Sequence, residues 1–215
     1  MKNFILIILL LIGCKNATES INEDIEIGSV KDIDGNVYKT VKIGEQWWMA
    51  ENLKVKHDPQ GNPITSYVYR NVEENEDIYG RLYKWNDAMN GSSNARSQGI
   101  APDGWHIPSN SEWKELINHI GGKSEAGGKL KESGEEHWQS PNSGAEDLFQ
   151  FKALPTGWLN FTGEYIGIGE RCFFRTSSRA SNNYPIVQIL KYNSSAISEG
   201  DVIPNDAIPI RCIRD

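Results

Sequence analysis

An aromatic turn late in the chain carries residue types that bind sugars or peptides. Trp158 and Tyr165 flank Asn160 and Glu164, directly after a Pro-Thr-Gly turn. A flat aromatic ring stacks on a sugar ring while a neighbouring amide or carboxylate hydrogen-bonds to the sugar hydroxyl groups. The sequence therefore makes Trp158, Asn160, Glu164 and Tyr165 candidate ligand-binding residues. The alternative is that Trp158 and Phe161 close the hydrophobic core.

Metal-binding patterns are weak. The tripeptide Trp85-Asn86-Asp87 matches one that calcium-dependent lectins use, but here it falls on a predicted amphipathic helix and no Glu-Pro-Asn motif accompanies it. The four histidines are dispersed and form no metal-ligand spacing. The remaining acidic clusters lack the alternating spacing of a calcium loop; they are Glu146-Asp147, Glu199 with Asp201, and Asn205-Asp206. We expect neither a metal site nor a cofactor.

Catalytic signatures are equally scarce. Ser177-Ser178 has no nucleophile-elbow context, and the chain contains no Gly-x-Ser-x-Gly motif and no phosphate-binding glycine loop. The sequence therefore predicts no catalytic residue, and we expect a protein that is not an enzyme.

The first fourteen residues predict export. Lys2 precedes an apolar run from Phe4 to Ile12, which has the length of a signal-peptide core and is too short to span a bilayer. The following Gly13-Cys14 resembles the lipobox of bacterial lipoproteins, in which the peptide is cut before the cysteine and the new N-terminal cysteine is lipidated. We expect residues 1–14 to be a signal peptide with Cys14 as the lipidation site, and the polar, acidic residues 15–27 to be a flexible tether. The alternative is an ordinary secretory signal that contains a cysteine.

Two cysteines remain for pairing, Cys172 and Cys212. In an oxidising compartment two cysteines are expected to form one disulfide. The alternative is a pair of buried free thiols. Without a neighbouring histidine or a Cys-x-x-Cys spacing, these cysteines make a poor metal or redox site.

Charge limits the possible partners. The formal charge of −7 becomes −8 when Lys2 leaves with the signal (−7 − 1), and no basic run exceeds two residues. Nucleic acids and anionic lipid head groups attract clusters of Lys and Arg. The acidic chain is therefore expected not to bind nucleic acid, and to meet the membrane through its lipid.

The hydrophobic pattern predicts an α+β domain with an antiparallel sheet. Ser109 and Glu112 form a capping box at the start of a helix that ends at Gly121-Gly122, and residues 79–89 predict another helix. A long excursion, residues 121–150, follows the capped helix. The predicted strands are Val30–Ile33, Val37–Ile43, Trp47–Met49, Phe151–Leu154, Cys172–Thr176, Pro185–Leu190 and Ile208–Ile213.

Several phrases together resemble the Fibrobacter succinogenes major paralogous domain family, whose members are exported bacterial proteins with a C-type lectin-like fold. The resemblance covers residues 28–215 and implies one domain with two helices packed on short antiparallel sheets and long loops. It implies no reaction. The phrases are 34–38 (Asp-Gly-Asn-Val-Tyr), 43–53 (Ile-Gly-Glu-Gln-Trp-Trp-Met-Ala-Glu-Asn-Leu), 79–85 (Tyr-Gly-Arg-Leu-Tyr-Lys-Trp), 101–108 (Ala-Pro-Asp-Gly-Trp-His-Ile-Pro), 154–157 (Leu-Pro-Thr-Gly) and 211–215 (Arg-Cys-Ile-Arg-Asp).

These observations predict a lipid-anchored protein of the bacterial cell envelope, placed in the outer membrane on its periplasmic or surface face. Its domain is expected to be a non-catalytic binding or adhesion module for glycan or protein. Two alternatives remain open: an envelope enzyme that acts on glycan or protein, and a structural envelope protein without a specific ligand.

Overall fold

The computed structural model describes residues 25–215. The signal peptide, Cys14 and residues 15–24 of the tether lie outside the described residues. No helix in the described range is long and apolar enough to cross a bilayer. The helices are α1 (Glu74–Tyr79), α2 (Trp85–Met89), α3 (Asn110–His119) and α4 (Ala126–Leu130). The strands are β1 (Ile27–Lys31), β2 (Val37–Ile43), β3 (Gln46–Met49), β4 (Trp105–His106), β5 (Trp158–Leu159), β6 (Tyr165–Ile166), β7 (Arg171–Arg179), β8 (Pro185–Lys191), β9 (Ile197–Asp201) and β10 (Ile213–Arg214).

A five-stranded antiparallel sheet organises the domain, with strand order β1-β2-β3-β10-β4. One row of paired residues runs through it from Val41 to Trp48, Ile213 and His106. Strands β7, β8 and β9 form a second antiparallel sheet, and β5 pairs with β6 as a hairpin. Antiparallel sheets with few, short helices confirm the predicted α+β class.

Two hydrophobic clusters pack on opposite faces of the five-stranded sheet, because successive side chains of a strand point to opposite faces. The first cluster contains Trp48, Ile213 and Trp113 of α3, which stacks on Phe174 of β7 with ring centroids 5.2 Å apart. The second cluster contains Met49, Cys212, Tyr38 and Trp85. Large aromatic side chains thus supply much of the buried apolar area.

The predicted disulfide is absent, because both cysteines are free and buried. Cys172 lies in the first cluster, whereas Cys212 lies in the second. The alternation along β10 causes this separation: Ile213, the neighbour of Cys212, is the residue that shares the cluster of Cys172. Burial raises the pKa of the Cys172 thiol to about 12 and also raises that of Cys212, so both thiols are protonated and unreactive at neutral pH.

The capping-box helix is confirmed as α3. Ser109 accepts a hydrogen bond from the Glu112 backbone N–H, and the Glu112 carboxylate accepts one from the Ser109 N–H. The other predicted helix, residues 79–89, is wrong in its bounds. Gly80, with a φ of 71°, ends α1, and residues 82 and 83 are extended, pairing with Tyr67 and Ile208 before α2 begins.

Three boundaries also differ from the prediction. Residues 151–154 form no strand, because Gln150 and Lys152 adopt left-handed backbone conformations, and only Ala153 makes an isolated bridge, to Lys131. Within 208–213, only Ile213 belongs to a strand. Ile25 packs against the first cluster, so the domain begins before the predicted end of the tether at residue 27.

A buried histidine ties α3 to β10. The imidazole of His106 donates to Glu112 Oε1 (2.9 Å) and to Asp215 Oδ1 (2.6 Å). Burial opposes protonation of His106, but its hydrogen bonds to Glu112 and Asp215 outweigh that effect and raise its pKa. Burial likewise acts against ionised Glu112, yet hydrogen bonds from His106 and Ser109 lower its pKa to about 2. The pair is therefore ionised over a wide range of pH.

Substituting His106→Gln should lower the free energy of unfolding by about 2 kcal/mol, because one cation and its two charge-assisted hydrogen bonds are lost. The contribution of His106 is complete below its ordinary pKa of 6.5 and disappears as the pH rises through the raised value. The contribution of Glu112 to stability is complete above its ordinary pKa of 4.5 and disappears as the pH falls towards its lowered pKa of about 2. Urea titrations should therefore show the largest difference from wild type between pH 4.5 and 6.5. The exposed His119→Gln is the control, and a difference that does not depend on pH would contradict this role.

Candidate functional site

A cavity of about 430 Å³ opens between the end of β3, helix α1 and the loop at residues 147–154. Its volume lies within the range of small-ligand sites. Eleven of its fifteen lining residues are polar or charged, and Ala50, Ile78 and Leu154 supply apolar surface. The lining residues are Lys39, Ala50, Glu51, Asn52, Lys54, Glu76, Asp77, Ile78, Gly80, His137, Asp147, Gln150, Lys152, Leu154 and Arg211.

Arg211 anchors the cavity lining. It is 1 % exposed, and its Nε donates to Asn52 Oδ1 at 3.0 Å. The other guanidinium nitrogens donate to the backbone carbonyls of Phe151 and Lys152. Burial lowers the pKa of Arg211 to about 10, so the group remains charged at neutral pH. One buried cation thus holds the end of β3 and the 147–154 loop at a fixed distance.

Asn52 extends this network to two more segments. Its Nδ2 donates to the Tyr79 carbonyl (2.9 Å) and to Thr156 Oγ1 (3.1 Å). Gly80 lines the cavity beside it, and a Cβ at that position would lie 2.9 Å from the Asn52 carbonyl oxygen. A glycine is therefore required where the chain leaves α1 and passes over Asn52.

One wall of the cavity carries two carboxylates, Glu51 and Asp147, that form no ion pair with any residue in the described range. Glu51 Oε1 accepts from the Lys39 backbone N–H (2.8 Å), and Asp147 Oδ1 accepts from the Lys152 backbone N–H (2.7 Å). Neither Glu51 nor Asp147 takes part in a salt bridge within residues 25–215. Burial raises the pKa of Asp147. Lys39 donates its Nζ to Gln150 Oε1 at 2.6 Å, which places an ammonium group on the same wall.

The opposite wall, formed by α1, has its charges paired. Glu76 accepts from Arg81 (2.6 Å) and lies 3.1 Å from Lys56, while Asp77 is paired with Lys54 at 3.3 Å. Glu51 and Asp147 are therefore the two lining carboxylates without a salt-bridge partner among the described residues, and they keep acceptor capacity for a ligand.

The backbone of the 147–154 loop is strained. Asp147, Gln150 and Lys152 have φ values of 48°, 54° and 49°. Left-handed conformations at non-glycine residues cost free energy and are concentrated at binding and catalytic sites. All three residues line the cavity.

The four candidate residues of the aromatic turn do lie together, on the β5–β6 hairpin, but each already has a partner in the fold. Trp158 is half-buried against Phe173, with ring centroids 4.6 Å apart. Asn160 Nδ2 donates to Glu164 Oε2 at 3.0 Å, and Tyr165 Oη donates to Asn71. The exposed ring of the hairpin is that of Phe161, which is 61 % exposed, so the alternative in which Trp158 and Phe161 both close the core is wrong for Phe161.

Among the calcium-binding patterns considered in the sequence, only the Glu146-Asp147 cluster contributes a residue to the cavity. Trp85 is buried in α2, as expected for a helix residue that packs in the core. Of the acidic clusters, only Asp147 reaches the cavity. The sequence reasoning missed Arg211, Asn52 and Glu51 as site residues, although all three fall within phrases that carry the family resemblance.

The chain belongs to the class of α+β domains built on a five-stranded antiparallel sheet. The model of the Fibrobacter succinogenes major domain matches residues 41–214, so the chain is a member of that family. No curated protein and no solved structure matches it. Four of the phrases that carried the resemblance supply residues to the lining of the cavity beside Arg211. These phrases are 43–53, 79–85, 154–157 and 211–215.

Replacing Arg211 by lysine should lower the free energy of unfolding by about 3 kcal/mol. A single ammonium cannot reach Asn52 and two carbonyls at once, so buried acceptors lose their donors. Chemical denaturation of Arg211→Lys measures the loss. The matched control is Arg214→Lys, at an exposed position of β10, which should change stability by less than about 0.5 kcal/mol. Equal effects of the two substitutions would contradict the role of Arg211.

Proposed function

We propose that this protein is a lipid-anchored component of the bacterial cell envelope, and that its domain, with a C-type lectin-like fold, is a non-catalytic binding module. We infer that its ligand is a glycan, one unit of which enters the cavity beside Arg211. The protein is held to the outer membrane through lipid on Cys14.

The observation that carries this proposal is that separate segments of the chain together line one cavity. Sequence phrases that are far apart along the chain contribute to a single polar cavity. Surface loops on a stable scaffold are where binding functions concentrate, and one wall of this cavity is a loop with a strained backbone.

The chemistry of the free wall favours a hydroxyl-rich ligand. Glu51 and Asp147 retain acceptor positions, while Lys39 and Lys152 add ammonium donors to the lining. A sugar hydroxyl both donates and accepts, so it suits a wall that offers both types of group. Charge-assisted hydrogen bonds of this kind are the stronger ones. The mixed signs also agree with a neutral ligand rather than with a polyanion.

The cavity is a better seat than the β5–β6 hairpin. In the hairpin, Asn160, Thr162 and Glu164 use their polar atoms on each other. Phe161 offers an exposed ring there. No cavity-lining residue belongs to the hairpin, so the two surfaces are tested separately.

The anchor is tested by substituting Cys14→Ala. The protein should then lose lipid, because the sulfur that accepts the diacylglycerol group is missing. Metabolic labelling with a fatty-acid analogue should mark wild type alone, and the variant should keep residues 1–13, since the lipoprotein-specific peptidase cuts only before a lipidated cysteine. Cys212→Ala is the control, since its thiol is buried. Equal labelling of wild type and Cys14→Ala would refute the anchor.

The ligand seat is tested by probing a glycan array with the full chain and then measuring Kd for the glycan bound. Asp147→Asn and Glu51→Gln should each weaken binding about tenfold, since each removes the charge from an acceptor without changing its shape. Phe161→Ala, on the hairpin, should leave the Kd unchanged. A loss confined to Phe161→Ala would move the site to the hairpin, and an array without any bound glycan would exclude the glycan ligand.

A further inference from the structure

Three potential metal ligands converge next to the cavity. Glu132, Glu136 and His137 each place one ligand atom so that all three atoms lie within 4.8 Å of one another. His137 also lines the cavity. The three residues lie on one short turn of the long excursion, within six positions of one another. Their spacing matches no recognised metal-binding motif, so the sequence did not predict this cluster.

The turn that carries these residues is fixed at both ends. The Glu132 backbone N–H donates to the Ala153 carbonyl (3.1 Å), and Gln139 N–H donates to Gly169 (2.7 Å). Asn142 is buried beneath the turn and donates its Nδ2 to the carbonyls of Glu132 and Gly134. The backbone that carries the three ligands is therefore held by the fold, independently of any ion.

The two carboxylates of the cluster differ in their surroundings. Glu132, whose side chain is 7 % exposed, is bonded to His137 Nδ1 (2.8 Å) and lies 3.3 Å from Lys152 Nζ. Glu136 takes part in no salt bridge of the described chain, yet its carboxylate lies beside that of Glu132. Two converging carboxylates repel each other, and a divalent cation bound between them removes that repulsion.

The donor set selects the kind of cation. One imidazole nitrogen and two carboxylate oxygens match borderline divalent ions, whereas Ca²⁺ takes six or more oxygen ligands. Zn²⁺ bonds to such atoms at about 2.0–2.2 Å, which places tetrahedral ligands about 3.3 Å apart. The present separations, 2.8 Å between Glu132 Oε2 and His137 Nδ1 and at most 4.8 Å overall, reach that geometry by small side-chain rotations.

We propose that Glu132, Glu136 and His137 bind a divalent transition-metal cation, best matched by Zn²⁺, at the rim of the cavity. Three protein ligands leave at least one coordination position for water or for a donor atom of a bound molecule. His137 lines the cavity but Glu132 and Glu136 do not, so substitutions at the two glutamates test the metal site separately from the glycan proposal.

Calorimetric titration of the metal-free full chain with Zn²⁺ tests the site, in detergent and without a polyhistidine tag. Wild type should bind one equivalent, and Glu136→Gln should weaken that binding about tenfold or more. Glu136 is exposed, so this variant should fold normally. The matched control is Glu135→Gln, its exposed neighbour, which lies outside the cluster and should bind Zn²⁺ as wild type does.

A second readout follows thermal unfolding with Zn²⁺ and, separately, with Ca²⁺. Zn²⁺ should raise the Tm of wild type and of Glu135→Gln, because it binds the native state, and should raise that of Glu136→Gln much less. Absence of Zn²⁺ binding, equal affinity in Glu136→Gln, or tighter binding of Ca²⁺ than of Zn²⁺ would each overturn the proposal. Glu51→Gln should keep the Zn²⁺ affinity of wild type, so failure of the glycan site and failure of the metal site are distinguishable.

Discussion

The structure depends on keeping the charge of the Arg211 guanidinium buried. Among the described residues, no carboxylate forms a salt bridge with Arg211. Its hydrogen bonds go to the amide of Asn52 and to two backbone carbonyls, and its Cζ lies 4.3 Å from the centre of the Phe151 ring. A buried cation without those acceptors would cost several kcal/mol. Arg211 therefore fixes three segments relative to one another, because its hydrogen bonds require them to lie close together. These segments are the end of β3, the 147–154 loop and the approach to β10. The cavity is what remains between segments fixed in this way.

The buried ammonium of Lys131 has a similar role in the long excursion, residues 121–150. Lys131 is fully buried, and its ammonium donates to the carbonyls of Ser143, Lys191 and Ser194. It also lies 5.2 Å from the centre of the Trp138 ring. Burial lowers the pKa of Lys131 to about 8, which still leaves it mostly protonated at neutral pH. Residues 121–150 contain little regular structure, yet this cation binds them to the three-stranded sheet, so the segment is a packed part of the domain.

Sequence reasoning succeeded where the signal was local. The capping box at Ser109 and the hydrophobic spacing after it are properties of adjacent turns, and α3 forms as expected. Sequence reasoning failed where contacts between distant segments determine the structure. Gly80 turns the chain over Asn52, so the continuous helix expected around it is broken. Judging the pairing of Cys172 with Cys212 required knowledge of which hydrophobic cluster each residue joins. The cavity required Arg211 to meet residues 60 and 159 positions away.

The sequence separation of the cavity walls has a consequence for folding. Residues 50–54, 76–80, 147–154 and 211 must all be in place before the cavity exists, so none of its surface is available in a partly folded chain. Contacts of such long range form late, because the loop-closure entropy must be overcome first. A ligand in the cavity therefore binds only the completed domain and stabilises all of it by mass action. Occupancy of this site would therefore indicate that the chain has finished folding.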